Sequence, residues 1–208
     1  MTESRRLRLG VLISGSGTNL QAIVDASEAG ELDADVAVVI SSHESARGLE
    51  RAARHGIDAI HVDRGKFDSA GEYNARLLEE FRTRFVDVVV MAGYMRLLGK
   101  EVLDAYPNAV VNIHPALLPS FPGASGIKDA FEHGVKVTGV TVHFANEVFD
   151  EGPIIAQEAV HIEEGDTLAT LEAKIHEVEH RIYPAALQAI AQKRVRIEGR
   201  RVHVAPGA

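Results

Sequence analysis

The stretch Leu9-Gly10-Val11-Leu12-Ile13-Ser14-Gly15-Ser16-Gly17-Thr18-Asn19-Leu20 joins an apolar run, a glycine turn and the opening of a helical pattern. The run over residues 9–13 is too short for a helix and is apolar on both of its alternating faces. Such a run marks a central strand covered by helices on each side. Working outward, residues 36–40 (Val-Ala-Val-Val-Ile) and 88–91 (Val-Val-Val-Met) repeat it. Helical patterns occupy residues 19–29, 46–55 and 71–85, the last carrying Tyr73, Leu77, Leu78 and Phe81. This alternation predicts an α/β fold, a doubly wound, mostly parallel, Rossmann-like sheet with right-handed crossovers.

The rhythm changes after Tyr106. Residues 109–113 read as another strand, followed by an irregular loop with Pro115, Pro119, Pro122 and Gly123. Residues 138–144 and 154–162 read as two more strands, with a turn-rich link at 146–152. A long helix is expected over 166–190, because Leu168, Leu171, Ile175, Val178 and Ile182 recur at spacings of 3, 4, 3 and 4, the buried stripe of a helix. Pro184 has no N–H to donate and is expected to kink or break it. The tail, 194–204, alternates around Glu198-Gly199-Arg200 as a small hairpin. The expected organisation is a single domain, 1–208, made of an N-terminal half (1–105), a second half (106–190) and a C-terminal hairpin and tail (191–208).

Composition narrows the chemistry. The chain has 208 residues, 30 acidic against 22 Lys/Arg, a net charge of −8 and no cysteine. Thiol nucleophiles, disulfides and Cys-based zinc sites are therefore excluded. The acidity argues against nucleic acid or a membrane as partner, yet a few backbone amides suffice for a local anion site. Arg5, Arg6 and Arg8 precede an apolar run that breaks at once into Ser14-Gly15-Ser16-Gly17, unlike a secretory signal. A cytoplasmic protein is expected.

Three constellations carry candidate chemistry. The Ser14–Asn19 turn feeds a helix N-terminus, where free N–H groups and the helix dipole suit a phosphate. The dinucleotide fingerprint would need glycine where Leu20 stands and an acidic residue where the second strand ends in Ser41-Ser42-His43. One phosphate group is the expectation; a plain βα turn is the alternative. In Asn112-Ile113-His114-Pro115, strand alternation puts the amide and the imidazole on one side, able to hold a carbonyl oxygen and move a proton. A structural polar corner is the alternative there. Asp150-Glu151-Gly152-Pro153 follows the strand holding His143, so its carboxylate has His114 and His143 as available partners.

A rival motif lies in the long helix. His176-Glu177-Val178-Glu179-His180 matches H-E-x-x-H, a zinc signature. No clear third ligand follows, His203 lying in the terminal hairpin. His114, His143 and Asp150 could also be drawn as a two-histidine, one-carboxylate iron site. Neither suits the rest of the pattern, and no metal is expected.

From Val11–Gln21 to Ile182-Tyr183-Pro184 the chain resembles the phosphoribosylglycinamide formyltransferases, folate-dependent enzymes of purine synthesis. The resemblance runs through Gly93-Tyr94-Met95-Arg96-Leu97-Leu98, Asn112-Ile113-His114-Pro115-Ala116-Leu117-Leu118-Pro119 and Asp150-Glu151-Gly152-Pro153-Ile154. It implies a formyltransferase-type sheet and transfer of the formyl group of 10-formyltetrahydrofolate, a co-substrate, to glycinamide ribonucleotide. By resemblance Gly17, Thr18 and Asn19 would bind the phosphate, and Glu179, with Gly93 and His176 nearby, the rest of that nucleotide. Met95, Arg96, Leu97 and Leu98, with Asn112, Asn146, Glu147, Val148, Phe149 and Asp150, would line the folate pocket, placing folate binding in the second half. Asn112, His114 and Asp150 would be catalytic. The resemblance leaves a homodimer open.

Two positions depart from the family pattern. Phe67-Asp68-Ser69 is followed by Ala70 instead of the frequent Arg near the folate tail, and Ser125 stands where many members have a loop histidine. The alternatives are formyltetrahydrofolate deformylase, which usually adds an N-terminal domain and carries His-His in place of His114-Pro115, and a non-catalytic phosphate-binding α/β protein. Transfer to methionyl-tRNA normally needs a further domain and a basic surface.

Overall fold

The computed structural model describes residues 5–207. Its elements are β1 (Leu7–Ile13), α1 (Thr18–Glu28), β2 (Ala34–Ser41), α2 (Arg47–Arg54), β3 (Ala59–His61), α3 (Ala70–Thr83), β4 (Val88–Met91) and α4 (Lys100–Ala105). There follow β5 (Val110–His114), α5 (Gly126–His133), β6 (Val137–Phe144), β7 (Ile154–His161), α6 (Leu168–Ala191), β8 (Val195–Glu198) and β9 (Arg201–Val204). All the strands join one sheet in the order β3-β2-β1-β4-β5-β6-β7-β9-β8. The first five are mutually parallel, and β6 runs antiparallel to both β5 and β7.

Alternation along the strands feeds two cores. Leu9, Val11 and Ile13 of β1 and Val88 and Val90 of β4 pack with Leu20 and Ile23 of α1 and Leu171, Ile175 and Leu187 of α6. Leu12 of β1 and Val89 and Met91 of β4 face the other way, onto Tyr73, Leu77 and Phe81 of α3 and Val102 of α4. The strand order reverses between β1 and β4. Open α/β sheets bind ligand beyond the strand ends at such a point, and here those ends lead into Ser14–Gly17, Gly93 and His114.

The expected strands and helices are present to within a few residues, with 88–91 matching β4 fully. The short elements β3, α4 and α5 were not expected. β3 has three residues, none fully buried, and α4 has six, of which Val102 alone is buried, so neither imposes a periodicity. Pro184 corrects an expectation: α6 continues through it as one helix of 24 residues. Ile182, Tyr183, Pro184 and Leu187 are all buried, and this packing keeps the helix unbroken despite the missing donor. A Thr167–Thr170 capping box starts the helix.

Tyr183 also ties the helix to the ligand end of the sheet. Its fully buried hydroxyl lies 3.1 Å from the Met91 carbonyl oxygen and 3.0 Å from that of Val111. Burial, with Glu179 nearby, raises its pKa well above the ordinary tyrosine value, so it remains a donor. Tyr183→Phe strands these acceptors and is expected to cost about 1–3 kcal/mol. Thermal denaturation checks it, with a fall of roughly 2–4 °C per kcal/mol expected for a domain of this size.

Candidate active site

The βα1 turn is built around Gly17, the N-cap of α1, at φ 69°. A Cβ on Gly17 would lie 2.6 Å from the Gly48 Cα, and Gly48 N–H donates to the Gly15 carbonyl at 3.2 Å. The turn is thus clamped against α2, and only glycine fits both the space and the left-handed backbone. No side chain caps α1, so its first-turn N–H groups are available to an anion. Ser14 Oγ accepts from Met95 N–H at 3.1 Å, and Arg51 Nε donates to the Ser16 carbonyl at 2.9 Å.

Glu179 comes to the same place from α6. It is buried, and its Oε2 accepts from Asn19 Nδ2 at 3.1 Å and from His176 Nδ1 at 2.8 Å. Asn19 Oδ1 is buried without a partner, an acceptor open to a ligand hydroxyl or amine. The bond to Glu179 raises the His176 pKa, against burial and helped by the charges of Glu179 and Glu172. His180 stacks on His176 with ring centroids 6.2 Å apart, and burial lowers its pKa. The H-E-x-x-H histidines therefore sit in opposite electrostatic states.

Asn112 and His114 project from one face of β5, opposite His143 and Thr141 of β6. Asp150 Oδ2 lies 3.4 Å from His114 Nδ1 and accepts from Gly123 N–H at 2.7 Å. Asp150 Oδ1 is 3.5 Å from Asn112 Nδ2 and 3.6 Å from His143 Nε2. His114 Nε2 donates to the Phe121 carbonyl at 2.8 Å. Both His114 nitrogens thus face acceptors. Burial alone would raise the Asp150 pKa, but the Gly123 N–H and the charge of His114 oppose it, and the carboxyl is held below its usual range. Asp150 is thus an ionised carboxylate in an enclosed position.

These groups line one cavity of about 1000 Å³, at the upper end of ligand pockets. Its walls include Gly17, Thr18, Asn19, Gly93, His176 and Glu179, as well as Asn112, His114 and Asp150. Met95, Leu97, Leu98, Asn146, Val148 and Phe149 form a more apolar side. Met95, Leu97, Val148 and Phe149 are exposed, a concentration of apolar surface that suits an aromatic ligand. Arg96 and Glu147 are absent from the lining; Glu147 pairs with Lys100 at 3.5 Å. Ala70 begins α3 behind its Ser69 cap, and Ser125 lies on the cavity wall.

The sequence offered His143 only as an available partner of Asp150 and gave no sign of the Gly123 amide. Alternation with Thr141 on β6 was the available signal for His143; no local pattern marks Gly123. His114, His143 and Asp150 do converge, but among the described residues no group of three or more His, Asp or Glu side chains is arranged to hold a metal ion.

A phosphate-type cradle, an Asn–His–Asp cluster and an apolar slot sharing one cavity at a sheet switch point define a group-transfer site. The chain belongs to the formyl transferase family, which residues 7–187 match. It is 39% identical over 183 residues to phosphoribosylglycinamide formyltransferase of Bacillus subtilis (strain 168), covering 88% of this chain and 94% of that one. Glycinamide ribonucleotide transformylase 1 from Symbiobacterium toebii has a crystal structure matching at TM-score 0.95 and 51% identity, over 97% of this chain and 95% of that one. A formyltetrahydrofolate deformylase from Pseudomonas syringae matches at TM-score 0.89 and 30% identity, over 97% of this chain and 66% of that one.

Gly17→Ala must displace the turn from Gly48. Calorimetric titration is expected to find binding of a ribose 5-phosphate ester weakened about tenfold, the equivalent of about 1.4 kcal/mol, with a folate ligand unaffected.

Proposed function

We propose that the protein transfers the formyl group of 10-formyltetrahydrofolate to the amine of glycinamide ribonucleotide, giving formylglycinamide ribonucleotide and tetrahydrofolate in purine biosynthesis. The observation that carries this reading is one cavity that joins the Gly17–Asn19 turn, Glu179, the Asn112–His114–Asp150 cluster and the apolar wall. Two substrates can meet there. The formyl-folate lies along Met95, Leu97, Leu98, Val148 and Phe149; the nucleotide places its phosphate on the α1 N-terminus and its ribose at Glu179. An impermeant phosphate ester as substrate makes the cytoplasm the place of action.

The chemistry follows from these positions. The amine nitrogen bonds to the formyl carbon, the carbonyl electron pair moves onto oxygen, and the bond from carbon to folate N10 then breaks. Asn112 stabilises the oxyanion, a preorganised donor contributing about 3–4 kcal/mol; His114 adds its positive charge, and its Nε2–H once that group leaves the Phe121 carbonyl for the oxyanion. Asp150, ionised in the resting site, stabilises positive charge on His114 and helps pass the proton from the attacking nitrogen toward N10. Juxtaposition of the two reactants supplies much of the remaining acceleration.

A second reading, hydrolysis of the formyl-folate, has the deformylase likeness in its favour. Water as acceptor, however, leaves the glycine turn, Asn19 and Glu179 without work. Incubation of the protein with 10-formyltetrahydrofolate, with and without glycinamide ribonucleotide, separates the two. Folate deformylation only in the presence of nucleotide is expected; deformylation without it identifies a hydrolase, and none in either mixture identifies a binding protein. In the same assay Asp150→Asn is expected to lower kcat by about 10²–10⁴-fold, while nucleotide binding is kept.

His176 gives this reaction a pH signature. Its raised pKa means that the imidazolium is present below the ordinary histidine value of about 6.5 and is lost as pH climbs through the raised one. The KM for glycinamide ribonucleotide is expected to increase by about fivefold on the alkaline side, the worth of one partly exposed charge contact of about 1 kcal/mol. His176→Lys, a cation across that range, should flatten this component of the steady-state profile.

A further inference from the structure

His143 has no role in the steps above, yet it is 1% exposed and stands directly across from Asn112 in the β5–β6 register. We propose that His143 is a positioning residue that fixes which end of the Asn112 amide faces the reacting formyl group. This rests on the formyl-transfer reading of the same site.

The tautomer of the ring is set from behind. His143 Nδ1 lies 2.9 Å from the Phe144 carbonyl oxygen; that oxygen can only accept, so Nδ1 carries the hydrogen. In the neutral ring Nε2 is then a lone pair, and it lies 3.1 Å from Asn112 Nδ2. A lone pair attracts an N–H and repels a carbonyl oxygen, so the amide nitrogen is turned to His143 and Oδ1 away from it. The second hydrogen on that nitrogen has only a 3.5 Å contact with Asp150 Oδ1, at the weak limit of a hydrogen bond. It is the donor free to meet an oxyanion. With the amide reversed, an oxygen would face the developing negative charge. The two ends of an amide are nearly the same size, so packing cannot choose between them and a hydrogen-bond partner must.

The surrounding backbone is shaped for this contact. The β6–β7 register slips between Val142 and His143, and such bulges re-aim side chains beside active sites. Gly152 lies against the same carbonyl: a Cβ there would fall 1.6 Å from the Phe144 oxygen and 3.4 Å from His143 Nδ1. Phe144 N–H in turn donates to the Pro153 carbonyl at 2.9 Å. The Gly152-Pro153 pair thus holds in place the acceptor that sets the His143 tautomer.

A double-mutant cycle tests the proposal. His143→Leu is expected to lower kcat by about 10–100-fold, less than the 10²–10³-fold for outright loss of an oxyanion donor. Both KM values should stay within about threefold. His143→Gln, which can present an acceptor to Asn112, should recover part of the rate. In an Asn112→Ala background, His143→Leu should cost less than about twofold, because the group it orients is gone. An equal loss in both backgrounds, or a loss confined to KM, overturns the proposal. So does coupling to Asp150→Asn in place of Asn112→Ala, which would assign His143 to the carboxylate. If thermal denaturation finds the Leu variant unfolded, the Gln variant is carried through the same cycle, where an equal effect in both backgrounds again overturns it. Should the wild type deformylate folate without nucleotide, the transferase reading fails by itself, and the cycle is read on the hydrolysis rate, which passes through the same oxyanion.

Discussion

A carboxylate with a side chain only 5% exposed must find partners for its charge, and Asp150 draws its partners from separate parts of the chain. Gly123 supplies an N–H from the loop before α5, and β5 supplies Asn112 and His114, with His143 of β6 standing behind Asn112. An unpaired carboxylate at this depth would cost several kcal/mol. The loop, both strands and the link after β6 are therefore bound to assemble together. Asp150 itself sits at φ 57°, a left-handed conformation that Asp tolerates better than most side chains. That local cost is offset by bringing the carboxylate to His114 and the Gly123 N–H.

The same economy explains how a chain of net charge −8 can hold anions. Among the described residues no arginine lines the cavity; its basic side chains are Lys128 and histidines, among them His43, His114 and His176, beside Asp150, Glu172 and Glu179. In the proposed reaction, anion recognition at the glycine turn falls to backbone dipoles, which act over one helical turn and are indifferent to the overall charge. Nearby, Glu179 is neutralised by its bonds with Asn19 and His176 instead of opposing that site from across the cavity.

Features that depend on local pattern were legible in the sequence. Leu9, Val11 and Ile13 on one face and Leu12 on the other announced a strand covered twice, and both cores use it that way. Asn112 and His114 share a face because two residues apart on a strand always do. Features that depend on register were not legible. That His143 lies opposite Asn112 follows from how β5 and β6 pair, and that Gly123 reaches Asp150 follows from the path of a loop. Pro184 misled because the cost of a missing backbone donor is visible locally, whereas the burial of Tyr183 and Leu187 that offsets it is not.

The His176–His180 pair carries this furthest. Two histidines one helical turn apart are equivalent by sequence, and their nearly parallel rings, 9° apart, keep that symmetry. Residues from elsewhere break it. Glu179 accepts from His176 and is itself held by Asn19 from 160 positions earlier in the chain, while His180 Nε2 is buried without any partner. One ring is thereby favoured as a cation and the other as a neutral group. The spacing that reads as a zinc signature is, in this fold, the means by which α6 brings a carboxylate and a charged imidazole to the end of α1.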